Sequence, residues 1–278
     1  MTKSYYELIK DVPHGHYEVY FAQVATYKNR LYTVHLEINE KCNARCFFCY
    51  REGSLNKNEQ RKYISYEKYT SLIDQLVSLG VFYIIINGGE PLVDWDFTMS
   101  VIKYARMKGM AVSIYSNGML LTDTIIDQIT DLKLYSTNIS LHSFDQKTHD
   151  EVFGVKYPFD KKLENILKIK AKGNRMSVPY LLTKNNIELF GQWLDFSKKH
   201  DIETGAMLIN PNMKNIGYEK VLELKPTFEQ MTEFYEKYPE YIFFKHREKN
   251  TDGTYNFGCG SGKAQCAIDA VGNVRPCT

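Results

Sequence analysis

The sequence predicts an α/β fold built on a parallel sheet, and three observations lead to this class. Six short apolar runs alternate with amphipathic segments between residues 32 and 210. Glycines follow several of the amphipathic segments, and polar or glycine-containing sequences follow the apolar runs. Strands that alternate with helices are joined by right-handed crossovers, so we expect parallel strands. The sheet is either open and doubly wound or curled into a barrel.

The apolar runs are the predicted strands. Their carboxyl ends are expected to meet at one edge of the sheet, where α/β proteins bind ligands. In chain order the runs cover residues 32–38, 81–87, 111–116, 136–142, 176–182 and 205–210.

The segments between the strands have helical periodicity. In one of them Leu163, Ile166, Leu167 and Ala171 recur at i, i+3, i+4 and i+8, which predicts one buried face, with the lysines of that segment on a solvated face. The predicted helices cover residues 66–79, 97–108, 123–132, 160–172 and 187–200, with another over 227–238.

Residues at the helix ends support these boundaries. Ser65 and Asn186 are placed as N-caps, and three glycines follow helices as C′ residues do, namely Gly80, Gly109 and Gly173.

Composition and charge narrow the possible functions. The 278 residues suffice for one or two domains, and a formal net charge of +2 argues against nucleic acid as an obligate partner. No apolar run approaches the roughly 18 residues that cross a bilayer, so no membrane partner is expected. The first ten residues lack the apolar core of a signal peptide. The expected location is the cytoplasm, where disulfides are rare.

Three cysteines follow the first predicted strand. Cys42, Cys46 and Cys49 have the spacing C-x3-C-x2-C, and their thiolates could bind three irons of a 4Fe–4S cluster while the fourth iron stays open. The alternative is a structural zinc ion with His35 as fourth ligand, although this spacing is not usual for a zinc finger.

Three further strand ends carry polar or small residues. The sequence NGGEP over 87–91 combines two glycines, which allow close approach of the backbone, with a carboxylate that suits an ammonium group. YSNG over 115–118 and SLHS over 140–143 add hydroxyl and amide groups at the same edge. Each sequence is also a common turn, and a histidine such as His142 could simply be packed in the core.

A second group of cysteines lies near the end of the chain. Cys259, Cys266 and Cys277 fall among glycines with the spacing C-x6-C-x10-C, which predicts metal ligands. A disulfide is the alternative.

Together these motifs resemble the radical S-adenosylmethionine (SAM) superfamily. The three-cysteine loop has an aromatic residue, Phe48, before its last cysteine, and GGEP follows about 40 residues later. The resemblance covers roughly residues 32–210 and implies a partial (β/α)6 TIM-like barrel. It implies that Cys42, Cys46 and Cys49 hold a 4Fe–4S cluster whose open iron chelates SAM. Reductive cleavage of SAM then yields a 5′-deoxyadenosyl radical that removes a hydrogen atom from the substrate.

The resemblance also implies how the strand ends bind SAM. Gly88, Gly89 and Glu90 would receive the methionine amino group, and Ser140 matches a serine that contacts the ribose or carboxylate. His142 replaces the aspartate of the more usual Ser-Leu-Asp-Gly.

Three other residues are implied in SAM binding. Ser116 and Asn117 are lesser contributors, and Phe48 packs near the adenine.

The last residues resemble the SPASM extension of peptide-modifying members, a small cysteine-rich module. The resemblance implies an auxiliary 4Fe–4S cluster held by Cys259, Cys266 and Cys277. A complete module contains further cysteines, so we expect either a truncated chain or a fourth ligand of another kind. The predicted division is an extension (1–31), a core barrel (32–210), a connecting helical segment (211–254) and the auxiliary module (255–278).

The leading functional hypothesis is a radical SAM enzyme that modifies a peptide or protein, with a flavodoxin or ferredoxin as electron donor. The alternatives are a radical SAM dehydrogenase acting on a small molecule, an anaerobic sulfatase maturase, and a non-enzymatic, metal-stapled binding protein. The N-terminal 30 residues are expected to be too short for a leader-binding domain. Peptide recognition is therefore expected on the barrel mouth or in a separate protein.

Overall fold

The computed structural model describes residues 21–22, 24–26, 28–49, 63–208, 217–239 and 260–277. Within this part of the chain the architecture is the predicted mixed α/β fold with a parallel sheet. The strands are β1 (Thr33–Glu37), β2 (Tyr83–Asn87), β3 (Ala111–Ser116), β4 (Ser136–Ile139), β5 (Met176–Ser177), β6 (Tyr180–Leu182), β7 (Ala206–Leu208), β8 (Gln265–Ile268) and β9 (Val274–Arg275).

The helices lie between these strands and largely follow the predicted segments. Two 3-10 turns, Pro91–Asp94 and Ile187–Leu189, precede the second and sixth helices. The helices are α1 (Tyr66–Ser78), α2 (Trp95–Met107), α3 (Asp123–Asp131), α4 (Gln146–Phe153), α5 (Phe159–Ala171), α6 (Phe190–His200), α7 (Gly217–Leu224) and α8 (Phe228–Lys237).

Seven strands form the main sheet in the order β5-β4-β3-β2-β1-β8-β9. All neighbours in it are parallel except β8 and β9, which form an antiparallel hairpin. The C-terminal residues 260–277 therefore extend the same sheet that carries the barrel strands, with β8 directly beside β1.

The predicted strand over 176–182 is wrong as a single strand. Pro179 interrupts it, because proline has no N–H to give to a strand ladder. Residues before the proline form β5 beside β4, and residues after it form β6, which pairs with β7 in a second sheet. A bridge between Ser177 and Glu203 joins the two sheets.

The helices cover one face of the sheet and bury its alternate residues. Their contacts form one core, in which Val34, Leu36, Ile84, Ile86 and Val112 are fully shielded from solvent. The other face of these strands is the concave side and carries mostly polar residues. Because the two faces differ, the register of the strands is strongly specified.

The buried face of α5 differs from the prediction. Ile166 is buried, but Ala171 is exposed, and the polar residues Lys162 and Asn165 lie on the buried side with Ile169. The assignment of every lysine to a solvated face was wrong, because this side of the helix faces polar groups at the carboxyl end of the sheet.

Most predicted helix ends are confirmed by their hydrogen bonds. Ser65 caps α1 by accepting from the backbone N–H of Lys68, and Gly80 follows in the left-handed region at φ +78°. Asn186 stands at the predicted N-cap position, just before Ile187–Leu189, but its side chain makes no capping hydrogen bond. Its side chain accepts from the backbone N–H of Thr183 and donates to the carbonyl of Leu181, so it stabilises a turn instead.

No helix among the described residues is long and apolar enough to cross a membrane.

Candidate active site

The three-cysteine loop, residues 42–49, lies at the carboxyl end of β1 and is fixed on both sides by backbone hydrogen bonds. Glu90 donates its N–H to the carbonyl of Lys41 at 2.7 Å, and Arg45 donates to the carbonyl of Phe153 at 2.7 Å. The loop is therefore positioned by the end of β2 on one side and by α4 on the other.

The glycines after β2 are required by close backbone contact with the segment that leads into the loop. A Cβ atom on Gly89 would stand 2.0 Å from the carbonyl oxygen of Lys41, and one on Gly88 would stand 2.5 Å from that of Asn39. Gly88 also has φ +139°, which disfavours any other residue. The glycines thus allow the turn after β2 to dock against the start of the cysteine loop.

Glu90 joins the ends of β2 and β3. Its carboxylate accepts hydrogen bonds from the Ser116 hydroxyl at 2.7 Å, the Asn117 N–H at 2.7 Å and the Leu92 N–H at 3.0 Å, and the residue is 1% exposed. Burial is the largest effect on this carboxyl group and raises its pKa, against the opposing effect of the three donors. The carboxylate has oxygen lone pairs left for an ammonium group, so the predicted contact with SAM is compatible with this geometry.

Asn117 connects β3 with the cysteine loop. Its side-chain amide donates to Asn43 at 2.7 Å and lies 3.8 Å from the sulfur of Cys42, while its oxygen accepts from the Met119 N–H. Ser116 and Asn117 therefore support the site by orienting Glu90 and the loop.

The three thiols are partly buried and form no disulfide. Burial raises the pKa of Cys42 and, more strongly, that of Cys46, and the nearby Cys49 raises both pKa values further. Thiolates in this position therefore need a bound cationic group. In the described part of the chain no three His, Cys, Asp or Glu side chains stand close enough to hold a single metal ion.

This arrangement fits a cluster better than one zinc ion. Each thiolate of a cluster binds a different iron, so its ligands stand farther apart than those of a single ion. His35, the alternative zinc ligand, points its Nδ1 at the side chain of Asn87, 3.2 Å away in the sheet. The donor set of three thiols on one loop, with a carboxylate nearby, fits a 4Fe–4S cluster with one open iron.

His142 and Phe48 pack together beside the loop. The His142 ring lies 5.0 Å from that of Phe48 and 5.7 Å from that of Phe153. Its Nδ1 accepts from the Leu181 N–H at 3.3 Å, and burial lowers the pKa of His142 to about 3. His142 is thus a neutral packing residue that supports Phe48, and a direct contact of either residue with SAM stays a prediction.

Lys162 is the residue that sequence reasoning missed. Its side chain is fully buried, its Nζ lies 3.3 Å from the carbonyl of Ser140 and 3.6 Å from the centroid of the Phe153 ring, and burial lowers its pKa to about 7. Cys46 and Glu90 oppose that shift, so the amine faces the site. The available signal was its position on the same face of α5 as Ile166 and Ile169.

The predicted auxiliary ligands are described only in part. Cys266 on β8 pairs with Val34 and packs against the helix-covered core, and Cys277 is exposed after β9. Cys259 lies outside the described residues. The structure thus brings Cys42, Cys46 and Cys49 together with the ends of β2, β3 and β4, while the auxiliary ligand set stays a prediction.

Three thiols and the Gly-Gly-Glu turn (residues 88–90) at the carboxyl edge of a parallel sheet fit the class of enzymes that bind an iron–sulfur cluster with an open position. Residues 36–197, more than half of the chain, match the family described as the Radical SAM superfamily. The chain belongs to this superfamily, whose members use a 4Fe–4S cluster and SAM.

Known proteins resemble the chain over most of its length. It is 26% identical over 258 residues to the mycofactocin maturase MftC of Mycolicibacterium smegmatis, covering 87% of this chain and 62% of that protein. It is 25% identical to the GTP 3′,8-cyclase of Synechocystis, covering 85% and 71%. The chain therefore spans less than two thirds of the length of MftC.

Among solved structures, Streptococcus suis SuiB bound to S-adenosylmethionine superimposes with a TM-score of 0.72 at 17% identity, over 96% of this chain and 66% of SuiB. A second structure of SuiB contains its precursor peptide SuiA, with a TM-score of 0.68. At this identity the likeness establishes the fold, and it confirms the predicted barrel class.

Proposed function

We propose that this radical SAM enzyme modifies a peptide or protein side chain. The observation that carries the proposal is the arrangement at the carboxyl edge of the sheet, where the three-cysteine loop docks on the Gly-Gly-Glu turn beside a buried lysine. The peptide class draws support from the maturase relative and from the SuiB structure with its precursor peptide.

In this proposal Cys42, Cys46 and Cys49 hold the cluster. When bound and reduced, the cluster supplies one electron that cleaves SAM to methionine and a radical able to remove a substrate hydrogen atom. The contribution of the protein is to orient SAM and to exclude water from the site.

Two buried charged groups bind the two charged groups at the methionine end of SAM. The Glu90 carboxylate is held by Ser116 and the Asn117 N–H and receives the ammonium group. The Lys162 amine is the complementary group for the SAM carboxylate, because a buried ammonium is stabilised by an anionic partner. Ser140, whose carbonyl accepts from Lys162, contacts the ribose or carboxylate of SAM in this proposal.

The remaining assignments extend this proposal. Cys259, Cys266 and Cys277 provide an auxiliary cluster, with a further ligand from elsewhere, and a flavodoxin or ferredoxin supplies electrons. The division into extension, core barrel, connecting segment and auxiliary module, and a cytoplasmic location, stay predictions.

A nucleotide substrate is the second candidate, because the cyclase relative covers 85% of the chain. The test is to incubate anaerobically reconstituted protein with SAM and dithionite, adding either peptides encoded next to its gene or GTP. We expect a mass change in a peptide together with more 5′-deoxyadenosine. Conversion of GTP, with every peptide unchanged, would contradict the proposal.

A further inference from the structure

A small cleft lies between the 3-10 turn that follows β6 and the helix α8. Its volume is about 140 Å³, and it is open to solvent. Small-molecule sites usually have about 300 Å³ or more, so this cleft suits one long side chain rather than a nucleotide or a cofactor. We call it the α8 cleft and define it by Ile187, Glu188, Glu233, Phe234, Lys237 and Tyr238.

The α8 cleft is connected to the cysteine loop by a short series of contacts. Gln230, which also lines the cleft, donates its side-chain amide to the carbonyl of Lys184 at 2.9 Å. Lys184 donates its N–H to the carbonyl of Leu224 at 2.9 Å. Leu224 packs against Leu181, as does Phe47 of the cysteine loop. The cleft therefore lies beside the barrel mouth, where peptide recognition is expected, and apart from the thiols.

The floor of the α8 cleft is apolar and closely packed. Ile187 and Phe234 are each 4% exposed, and the Tyr238 ring is half-buried with its centroid 5.2 Å from that of Phe234. The Tyr238 hydroxyl lies against Gly191 of α6, where an added Cβ atom would stand 2.8 Å from it. These contacts hold the ring in place, so the floor offers a preformed surface to the hydrocarbon part of a side chain.

The rim of the α8 cleft is charged. Glu188 and Glu233 are exposed, and neither forms an ion pair with another residue that the structure describes. The exposed Lys237 has its Nζ 5.3 Å from the centroid of the Tyr238 ring. Two carboxylates and one ammonium give the rim a formal net charge of −1. The position of Lys237 also shows that this ring can face a cation.

These features fit a side chain with a hydrocarbon stem and a cationic end. The stem would cover the apolar floor while the cation faces the carboxylates of the rim. Phe234 and Lys237 belong to the last turn of α8, where the helix dipole also favours a cation. The start of α6 favours a carboxylate at Glu188 in any case, so Glu233 argues more strongly for a ligand.

We propose that the α8 cleft binds a lysine or arginine side chain of the peptide substrate. The cationic side chain displaces Lys237 from the Tyr238 ring and anchors the peptide beside the barrel mouth. Another residue of the same peptide is the one modified at the cysteine loop. This inference rests on the proposed function and deepens it, because it adds a substrate-binding site and assigns a side-chain class to the anchoring residue.

Peptide binding tests the proposal independently of turnover. The probes are three acetylated and amidated peptides Gly-Gly-X-Gly-Gly, in which X is lysine, glutamate or norleucine, the last having a stem like that of lysine but no charge. Their dissociation constants are measured by ligand-observed NMR on the reconstituted protein with SAM but without reductant. We expect the lysine peptide to bind about fivefold more tightly than the norleucine peptide and about tenfold more tightly than the glutamate peptide.

Two variants of matched charge assign the preference to the cleft. Glu233→Gln should reduce the preference for lysine over norleucine to about twofold, because one carboxylate of the rim is lost. Glu236→Gln is the control, since Glu236 is an exposed glutamate of the same helix that does not line the cleft. It removes the same charge and should leave the preference unchanged.

Equal binding of the three peptides, no binding up to about 10 mM, or an equal effect of Glu233→Gln and Glu236→Gln would overturn the inference. Self-association of wild type that Glu233→Gln prevents would assign the cleft to a second copy of the chain, which would also overturn it.

Formation of 5′-deoxyadenosine after reductant is added, without any peptide, reports separately on the proposed function. A protein that cleaves SAM but binds the three peptides alike would lose only the inference. A protein that prefers the lysine peptide but forms no 5′-deoxyadenosine would lose the proposed function instead.

Discussion

Lys162 is fully buried, and its charge faces other ionisable groups of the site, Cys46 and Glu90. Its amine lies against the Phe153 ring and the Ser140 carbonyl, neither of which neutralises it. A buried ammonium of this kind reduces stability unless an anion binds beside it. In the proposed function that anion is the SAM carboxylate.

Replacing Lys162 by Met tests this assignment. Met has a similar length and no charge, so we expect the barrel to fold with equal or greater stability. We expect SAM to bind at least roughly tenfold more weakly, because a charge-assisted hydrogen bond is lost. Equilibrium dialysis with SAM on the reconstituted protein provides the measurement. Unchanged SAM affinity would contradict the role given to Lys162.

The pH dependence of stability gives a second test of Lys162. Burial lowers its pKa from 10.5 to about 7, so between these values the unfolded chain binds a proton that the native chain does not. Raising the pH in this range therefore stabilises the native state, by about 1 kcal/mol per pH unit. In urea unfolding of cluster-free protein, the free energy of unfolding should rise with pH in wild type relative to Lys162→Met. The same pH dependence in both proteins would contradict the prediction.

Glu90 is the other buried charge of the site. In Glu90→Gln one acceptor oxygen becomes an NH2 group, which then faces a donor N–H or hydroxyl and cannot accept from it. We expect a loss of about 2 kcal/mol in the free energy of unfolding. Ser116→Ala, which removes only one of the three donors, should cost about half as much. Equal stabilities of Glu90→Gln and wild type in urea would mean that the three contacts do not form.

At the level of structural elements, the docking of the Gly-Gly-Glu turn determines the position of the three-cysteine loop. In Gly89→Ala the new Cβ would meet the backbone of Lys41 at 2.0 Å, and backbone on both sides leaves little room to adjust. We expect a loss of more than about 2 kcal/mol and poor iron loading, since the start of the loop must move.

Gly80→Ala is the matched control for this prediction. Gly80 has φ +78°, but a Cβ added to it would meet no atom within 4 Å, so only backbone strain of about 1 kcal/mol is expected. Its iron content should equal that of wild type. Equal iron loading in Gly89→Ala would show that the turn does not position the loop.

The ion pair between Glu37 and Arg275 joins the C-terminal hairpin to the end of β1. Arg275→Met would leave the buried Glu37 carboxylate without this partner, and because Arg275 is partly exposed we expect a loss of about 2 kcal/mol. Hydrogen exchange should accelerate in β8 and β9 before it does in β2 and β3. Equal exchange rates in the variant and in wild type would mean that the pair does not anchor the hairpin.

For the whole molecule, the sequence was sufficient for the barrel class and for the first-strand cysteine loop. The alternating apolar runs and the spacing of Cys42, Cys46 and Cys49 depend on local pattern, which a sequence displays directly. The break at Pro179 also has a local signal, since proline disfavours a central strand, although the apolar residues on both sides of it favoured one continuous strand.

Other features of the fold depend on contacts between residues that are distant in the sequence. The local pattern of apolar and polar residues does not predict these contacts. The pairing of β8 with β1 brings residues more than 200 positions apart together, and the Arg275 contact depends on it. Lys162 looked like a solvated lysine because its helix carries several others. Its burial follows only from the packing of α5 on the carboxyl end of the sheet.

The central claim is that the cysteine loop holds a cluster at which SAM is cleaved. It is tested most directly by reconstituting wild type and the Cys42→Ala, Cys46→Ala, Cys49→Ala triple variant anaerobically, then adding SAM and dithionite. We expect at least about four irons per wild-type chain, about four fewer in the variant, and 5′-deoxyadenosine only from wild type. Wild-type protein that carries zinc in place of iron, or equal 5′-deoxyadenosine from both proteins, would contradict the claim.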